Sequence, residues 1–392
     1  MADMPQGRDF RVPPVIHVGE GALSRLPETL TDLGIQRAVL VTDRVLAGGP
    51  WMSVLQAYAA EAEVELTVDA ALGAEPTTDD VDRALGHIRA SDADGVIAFG
   101  GGSAIDTAKS AAVLAGNPGG LPDYEGYERI PRPGLPVIAI PTTAGTGAEV
   151  TRGVAVTDPV RDVKMLLMSA QLVPAAAIVD PAPTISMPPG VTASTGLDAL
   201  THAIEAYVSR KSYPLTDALA IDAVKRIAGS LVRAYECPDD LEARDAMARG
   251  SLHAGMAFHN ASVALVHGMS RPIGALFHVP HGLSNAMLLP AVMAFSIPGA
   301  VARYADIGRA MGAADAGDTD EAAAASAMRM VEELCAQVEV PTLAAWGVDR
   351  EAFRRAMPKM ARDALASGSP GNNPRLASEA EIVELYEQVI GL

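Results

Sequence analysis

Sulfur and aromatic rings are scarce in this sequence: 392 residues hold two cysteines, two tryptophans, six phenylalanines and eight tyrosines. Cys237 and Cys335 lie far apart and outside any CxxC pattern. That excludes a disulfide framework and a thiolate metal site, and it fits the cytosol. Basic charge is also short, with 30 Lys and Arg against 48 Asp and Glu. The net charge of −18, with no basic cluster, argues against nucleic acid or anionic lipid as a partner. The opening MADMPQGRDF lacks the apolar stretch of a signal peptide, and no uninterrupted apolar run reaches bilayer length. A soluble, cytoplasmic protein is expected. What is abundant is small and aliphatic: 49% of residues are hydrophobic and only 4% aromatic, which predicts a large Ala/Val/Leu/Ile core.

The length predicts two domains. In the first half short apolar runs alternate with helical patterns, the signature of βα units and a parallel sheet. Ala38 to Thr42, Gly95 to Phe99, Pro136 to Ile140 and Ala176 to Val179 read as strands. Val81, Leu85 and Ile88 make Asp79 to Arg89 a crossover helix. From about Thr192 strand-like runs become rare and Ala-rich helical periodicity takes over. Ile221, Val224, Ile227 and Leu231 trace one apolar face, and Asp320 to Gln337 is a further helix. The Pro-rich segment Asp180 to Pro189 separates the halves, predicting an α/β domain over 1–186 and an all-helical domain over 187–392.

Three stretches carry chemistry. The run Gly100-Gly101-Gly102-Ser103-Ala104-Ile105-Asp106-Thr107-Ala108-Lys109 follows a buried strand and leads into a helix, where bare amides and the helix dipole favour a phosphate. It is not the GxGxxG fingerprint, and a tight turn explains it equally well. Pro141 to Glu149 (PTTAGTGAE) follows the next strand and offers Thr142, Thr143 and Thr146 at a second strand end, either for a nucleotide or as a polar turn. Asp43 closes the first strand, where a carboxylate accepts from a ribose diol, repels a 2′-phosphate and so favours NAD over NADP, or else caps the next element. In the second half Asp198 and His202 share a helix face at i, i+4, a spacing that suits one metal ion but also an ordinary hydrogen-bonded pair. Four of the eight histidines, His259, His267, His278 and His281, cluster downstream. Imidazoles with one carboxylate suit zinc or ferrous iron.

With these stretches in order, the chain resembles the iron-containing (group III) alcohol dehydrogenases from near Val15 to its end. The resemblance is carried by GGGSAIDTAK (100–109), PTTAGTGAEVT (141–151), DPAPTISMPPGVTASTGLDALTHAIEAY (180–207) and AFHNASVALVHGMSRPIGALFHVPHGLSNAMLLP (257–290). It implies a dinucleotide-binding α/β domain followed by a helical metal-binding domain. It places the metal ligands on Asp198, His202, His267 and His281. It places NAD(H) contacts on Asp43, Gly101, Gly102, Ser103, Thr142, Thr143, Thr146 and Lys164. The implied activity is hydride transfer between NAD(H) and a small primary alcohol or aldehyde, with Fe(II) as the expected ion, Zn(II) as the alternative and a homodimer or larger homo-oligomer as the assembly. An NAD-recycling lyase like dehydroquinate synthase and an inactive cofactor-binding protein are the competing readings. One departure stands out. Many similar chains carry a histidine four residues after the third ligand, in an HGMAHP-like run, whereas HGMSRP places Arg271 here. His259 and His278 are candidates to take that place, and Arg271 is a candidate to hold an anionic substrate group or a structural salt bridge. Asn372-Asn373-Pro374-Arg375 resembles the family's closing NPR segment, expected to line the cleft or to start a helix.

Overall fold

The computed structural model describes residues 7–73 and 75–391. Six strands, β1 (Val15–Val18), β2 (Arg37–Asp43), β3 (Glu65–Leu72), β4 (Gly95–Gly100), β6 (Val137–Pro141) and β9 (Ala176–Val179), form one parallel sheet in the order β1-β9-β6-β4-β2-β3. The central runs GVIAFG, VIAIP and AAIV are buried along their whole length because helices cover both faces. Leu40, Ile97 and Ile138 pack with α1 (Leu26–Asp32) and α3 (Pro50–Glu61), which flank the short α2 (Arg44–Ala47). Their neighbours Val39, Val96 and Ala139 face the opposite way, against α4 (Thr78–Ala90) and α5 (Gly102–Gly116).

The expected strands and the crossover helix are present within one residue at each end. Sequence periodicity missed β3, an edge strand whose Glu65 and Asp69 interrupt the apolar run. It also missed a small second sheet, β5 (Gly126–Tyr127), β7 (Gly153–Asp158) and β8 (Val163–Met168), in the order β5-β8-β7.

After Val179 every remaining described element is helical. They are α6 (Pro189–Val208), α7 (Pro214–Glu236), α8 (Leu241–Ala261), α9 (Leu265–Phe277), α10 (His281–Ser296), α11 (Val301–Ala310), α12 (Asp320–Gln337), α13 (Leu343–Trp346), α14 (Arg350–Ala366) and α15 (Glu379–Gly391), with short 3₁₀ turns between them. One aliphatic core runs through them, with Val224, Ile227 and Leu231 fully buried as their spacing predicts. The expectation that no apolar stretch is long enough for a bilayer needs correction. The 19 residues His281–Gly299 are long and apolar enough to cross a membrane by length and composition, yet this stretch is mostly buried inside the protein. It is a core helix that also carries a polar cluster at its start.

Candidate functional site

The sheet reverses its strand order between β2 and β4, because the chain leaves β2 for β3 on one side and returns to β4 on the other. A parallel sheet opens a crevice at the carboxyl ends of the strands flanking such a point. Asp43 ends β2 and Gly100 ends β4. Asp43 Oδ1 accepts from the Val45 and Leu46 amides at 2.8 and 2.9 Å, capping α2, and no hydrogen bond among the described residues falls on Oδ2. The carboxylate therefore serves as a cap through one oxygen.

The glycine and threonine loops pack face to face. A Cβ on Gly101 would meet Thr143 Cγ2 at 3.2 Å, and one on Gly102 would meet Thr146 Cγ2 at 3.0 Å. The missing side chains bring the start of α5, with Gly101 as its N-cap and Ser103 in its first turn, against the side chains of Thr143 and Thr146. The Thr142 amide donates to Gly100 O at 3.0 Å and locks the two strand ends together. Lys164 lies on β8 with its Nζ 2.8 Å from Glu75 Oε2, half exposed, and its charge reaches both Asp106 and His281.

The threonine loop also touches the helical half. Gly147, at φ 62°, sits so close to α8 that a Cβ there would lie 2.6 Å from Gly255 Cα. Next to it Glu149 is buried, and burial raises its carboxyl from 4.5 to about 7. Between those values the folded chain holds a proton that the unfolded chain has released, so stability falls as pH rises through this window. Glu149→Gln is expected to flatten that slope and to gain about 1–3 kcal/mol over wild type above the window, read from denaturant midpoints on either side of it. Parallel midpoint curves for the two proteins would contradict this.

In the helical half Asp198 and His202 lie on α6, His267 on the first turn of α9 and His281 at the start of α10. One ligand atom from each falls within 4.8 Å of the other three. His202 Nδ1, His267 Nε2 and His281 Nε2 lie 4.0, 3.7 and 3.8 Å from the Asp198 carboxylate. Asp198, His202 and His267 are buried, while the His281 side chain is 41% exposed. His202 is clamped between the Phe258 ring, stacked at 4.1 Å, and the His267 ring at 4.5 Å. Its Nδ1 is buried with no hydrogen-bond partner among the described residues.

Burial pushes His202 down to about 4 and His281 to about 3, so both are neutral with free lone pairs near pH 7. Burial alone would raise Asp198, but the imidazoles of His202, His281 and His267 hold its carboxyl below the ordinary range. An anionic oxygen, neutral imidazoles and an orphaned buried nitrogen fit a divalent ion of the iron or zinc type.

Two further residues belong to this cluster and were not anticipated. Glu205, also on α6, has Oε2 2.6 Å from His267 Nδ1 and accepts from the Ala264 and Val266 amides at 2.9 and 2.6 Å. It fixes the ring so that Nε2 faces Asp198. Glu205→Gln is expected to lower metal affinity about 10- to 100-fold in chelator competition. An unchanged affinity would remove Glu205 from this role. Asn285 Nδ2 donates to Asp198 Oδ1 at 2.7 Å and lies 3.1 and 3.3 Å from the Nε2 atoms of His267 and His281.

The other pocket candidates are not part of the four-residue group. His259 is buried on α8 with Nδ1 accepting from the Arg152 amide at 3.4 Å, and burial pushes it down to about 3. His278 is exposed and closes α9 in the left-handed conformation, at φ 54°. Arg271 does follow His267 by one turn of α9 and donates to Ser369 Oγ at 3.0 Å. Arg375 pairs with Glu381 at 2.8 Å over the Phe295 ring, so the closing segment turns to α10 and α15 through this residue. Asn372 donates to Ser262 Oγ and Val263 O, just ahead of α9.

Comparison with known proteins agrees with this geometry. The chain matches the family model "Iron-containing alcohol dehydrogenase" over residues 13–181 and "Fe-containing alcohol dehydrogenase family, C-terminal" over residues 192–390. It is 40% identical to the probable alcohol dehydrogenase EutG of Salmonella typhimurium, across 97% of this chain and 94% of the relative. It is 34% identical to the NAD-dependent methanol dehydrogenase of Bacillus methanolicus, across 97% and 100%. A crystal structure of 1,3-propanediol oxidoreductase superposes with a TM-score of 0.94 at 36% identity, covering 98% of this chain and all of the other.

Proposed function

The chain belongs to the iron-containing alcohol dehydrogenase family, an NAD-linked oxidoreductase acting on CH–OH groups, and we propose from its own residues how it does so. Asp198, His202, His267 and His281 hold the ion. The single observation that carries this is the convergence of their four ligand atoms within 4.8 Å. A divalent ion there supplies a Lewis acid for the oxygen of an alcohol or aldehyde. The protein does the rest. Asp198 provides the anionic charge, Glu205 and Asn285 hold the ligands in register, and Phe258 walls off water behind His202. The exposed edge of His281 leaves the approach for a small primary alcohol or aldehyde.

In this reading the Gly101, Gly102 and Ser103 amides receive the pyrophosphate, and Thr142, Thr143 and Thr146 contact the phosphate or nicotinamide side. Asp43 takes the ribose diol through its unbonded oxygen, which favours NAD(H) over NADP(H). Lys164 closes the cleft from β8. A division at 186/187 puts the cofactor on one side of the cleft and the ion on the other. Of the three pocket candidates Arg271 alone stands one turn from a ligand, and His259 and His278 take no part in hydride transfer. Two unbridged cysteines support a cytoplasmic setting. The edge strand β1, with Val15 and Val18 exposed, supports pairing with a second copy. Iron is the family's metal, and zinc competes for the same donors.

An NAD-recycling lyase is not favoured, since the similar proteins are dehydrogenases and reductases. The test is a panel of short alcohols and aldehydes with NAD(H), on protein stripped and reloaded with iron or with zinc. Steady turnover of nicotinamide with one metal is the expected result. NAD(H) binding with no turnover of any panel member would overturn it.

A further inference from the structure

Arg271 carries a full charge into the protein without a counter-ion. No carboxylate among the described residues lies within 4 Å of its guanidinium, and its one hydrogen bond goes to Ser369 Oγ at 3.0 Å. The carboxylate whose charge reaches it is Glu205 on α6, whose oxygens are already taken by His267 Nδ1 and by the Ala264 and Val266 amides. A guanidinium offers five donors, and burying it unpaired is costly. The buried Arg244 shows the contrasting case. It is 0% exposed, donates to Pro238 O and Thr192 Oγ, and has an Nη2 sealed off with no partner. Arg271 has no such sealed, unbonded nitrogen and is only partly buried, so the donors that Ser369 leaves unused are not sealed off.

Arg271 follows His267 by four residues on α9, and such residues stand on one helix face with their Cβ atoms roughly 5–6 Å apart. The guanidinium is also held in place. Ser369 opens the turn Ser369–Asn372, whose Pro370 packs onto Gly268 so tightly that a Cβ there would lie 2.7 Å from its Cγ. Asn372 ties the same turn to Ser262 and Val263 at about the level where α9 begins. One edge of the fork is thus anchored and the other is free. With a net charge of −18, the protein as a whole does not attract anions, so a local cation is needed to hold one.

We propose that Arg271 receives the terminal oxyanion of the substrate, making this enzyme a reductase of short aldehydes that carry a carboxylate, sulfonate or phosphonate separated from the carbonyl by one or two methylenes. The proposal rests on the oxidoreductase reading of the same site. A planar fork satisfies two oxygens of any of these groups, and a spacer of one helical turn fits a short chain between them and the ion.

The test compares kcat/KM, with NADH, for propionaldehyde, succinic semialdehyde, sulfoacetaldehyde and phosphonoacetaldehyde. At least one anionic aldehyde should exceed propionaldehyde about 10- to 100-fold, the range of a charge-assisted hydrogen bond. Arg271→Ala should reduce that ratio by a similar factor, mainly through KM, and Arg271→Lys should restore part of it. Which anion leads tells carboxylate from sulfonate or phosphonate. A wild-type ratio near one, or a ratio unchanged in Arg271→Ala, overturns the proposal. Should the alanine variant fail to fold, competitive inhibition of the wild type decides. Butyrate, propane-1-sulfonate or propylphosphonate should inhibit propionaldehyde reduction more strongly than butyramide, and equal inhibition overturns it. Reduction of propionaldehyde without anion preference removes only Arg271 from substrate recognition. Reduction of none of the four by the metal-loaded wild type removes the oxidoreductase reading with it.

Discussion

Asp198→Ala is expected to fold yet to retain no stoichiometric iron or zinc, and to lose kcat/KM by on the order of 10³-fold or more, since Lewis-acid stabilisation is worth several kcal/mol. Asp198 is the only anion among the four ligands and stands 3.7 to 4.0 Å from the nitrogens of all three histidines. Three imidazoles remain in the variant, without the charge that balances a divalent ion in a buried site. The helix itself does not depend on the carboxylate, because α6 is held by Leu197, Leu200 and Ala203 in the core. Asp198→Asn separates charge from shape: the amide is the same size and can still meet Asn285, so a loss matching the alanine variant assigns the effect to charge. Elemental analysis against protein concentration, with far-ultraviolet dichroism for the fold, makes the measurement. A variant that keeps one ion per chain and about a tenth of its activity would exclude Asp198 as a ligand.

Legibility in the sequence followed the range over which each signal acts. β4, β6 and β9 were readable because a strand buried on both faces is a continuous apolar run. β3 was not, since Glu65 and Asp69 break its pattern and only pairing with β2 makes it a strand. Asp198 and His202 were readable as an i, i+4 pair that gained weight only from the histidines downstream. Glu205 lies seven residues after Asp198 on the same helix, within the apolar run ALTHAIEAY, and an acid on a buried face was the available clue. Its partner His267 is 62 positions away, so no local pattern could reveal the bond. Asn285 follows His281 by four residues and was readable in principle by the same i, i+4 logic that singled out Asp198 and His202. Arg271 was visible as a departure from similar chains. Its lack of a counter-ion is a property of packing and needed the fold.

Lys109→Met is expected to cost about 3–5 kcal/mol of stability, because two buried carbonyls and one part-buried carbonyl lose their donor and each orphaned group costs about 1–3 kcal/mol, not fully additively. The lysine closes the glycine run, where a cation after a phosphate-cradling loop invites a phosphate-binding role. The fold turns it the other way. Its Nζ is buried and donates to Ala148 O, Thr151 O and Gly153 O at 3.1, 2.8 and 2.7 Å. One helical turn earlier, Asp106 Oδ2 accepts from the Ala155 amide at 2.9 Å. Together they staple the segment between the threonine loop and β7 onto α5, the helix that presents the glycine loop. Burial lowers the lysine to about 8, with Asp106 and Glu149 opposing that fall, so it remains mostly charged near pH 7. Without that charge the buried Glu149 loses its nearest compensation and holds its proton to still higher pH. Methionine fills the volume, so the loss reads out polar stapling rather than a cavity. Urea unfolding should show the shifted midpoint with an unchanged slope, and the KM for NAD should rise as the threonine loop loosens. A midpoint within about 1 kcal/mol of wild type would mean that water satisfies the three carbonyls and that the loop stands without its lysine.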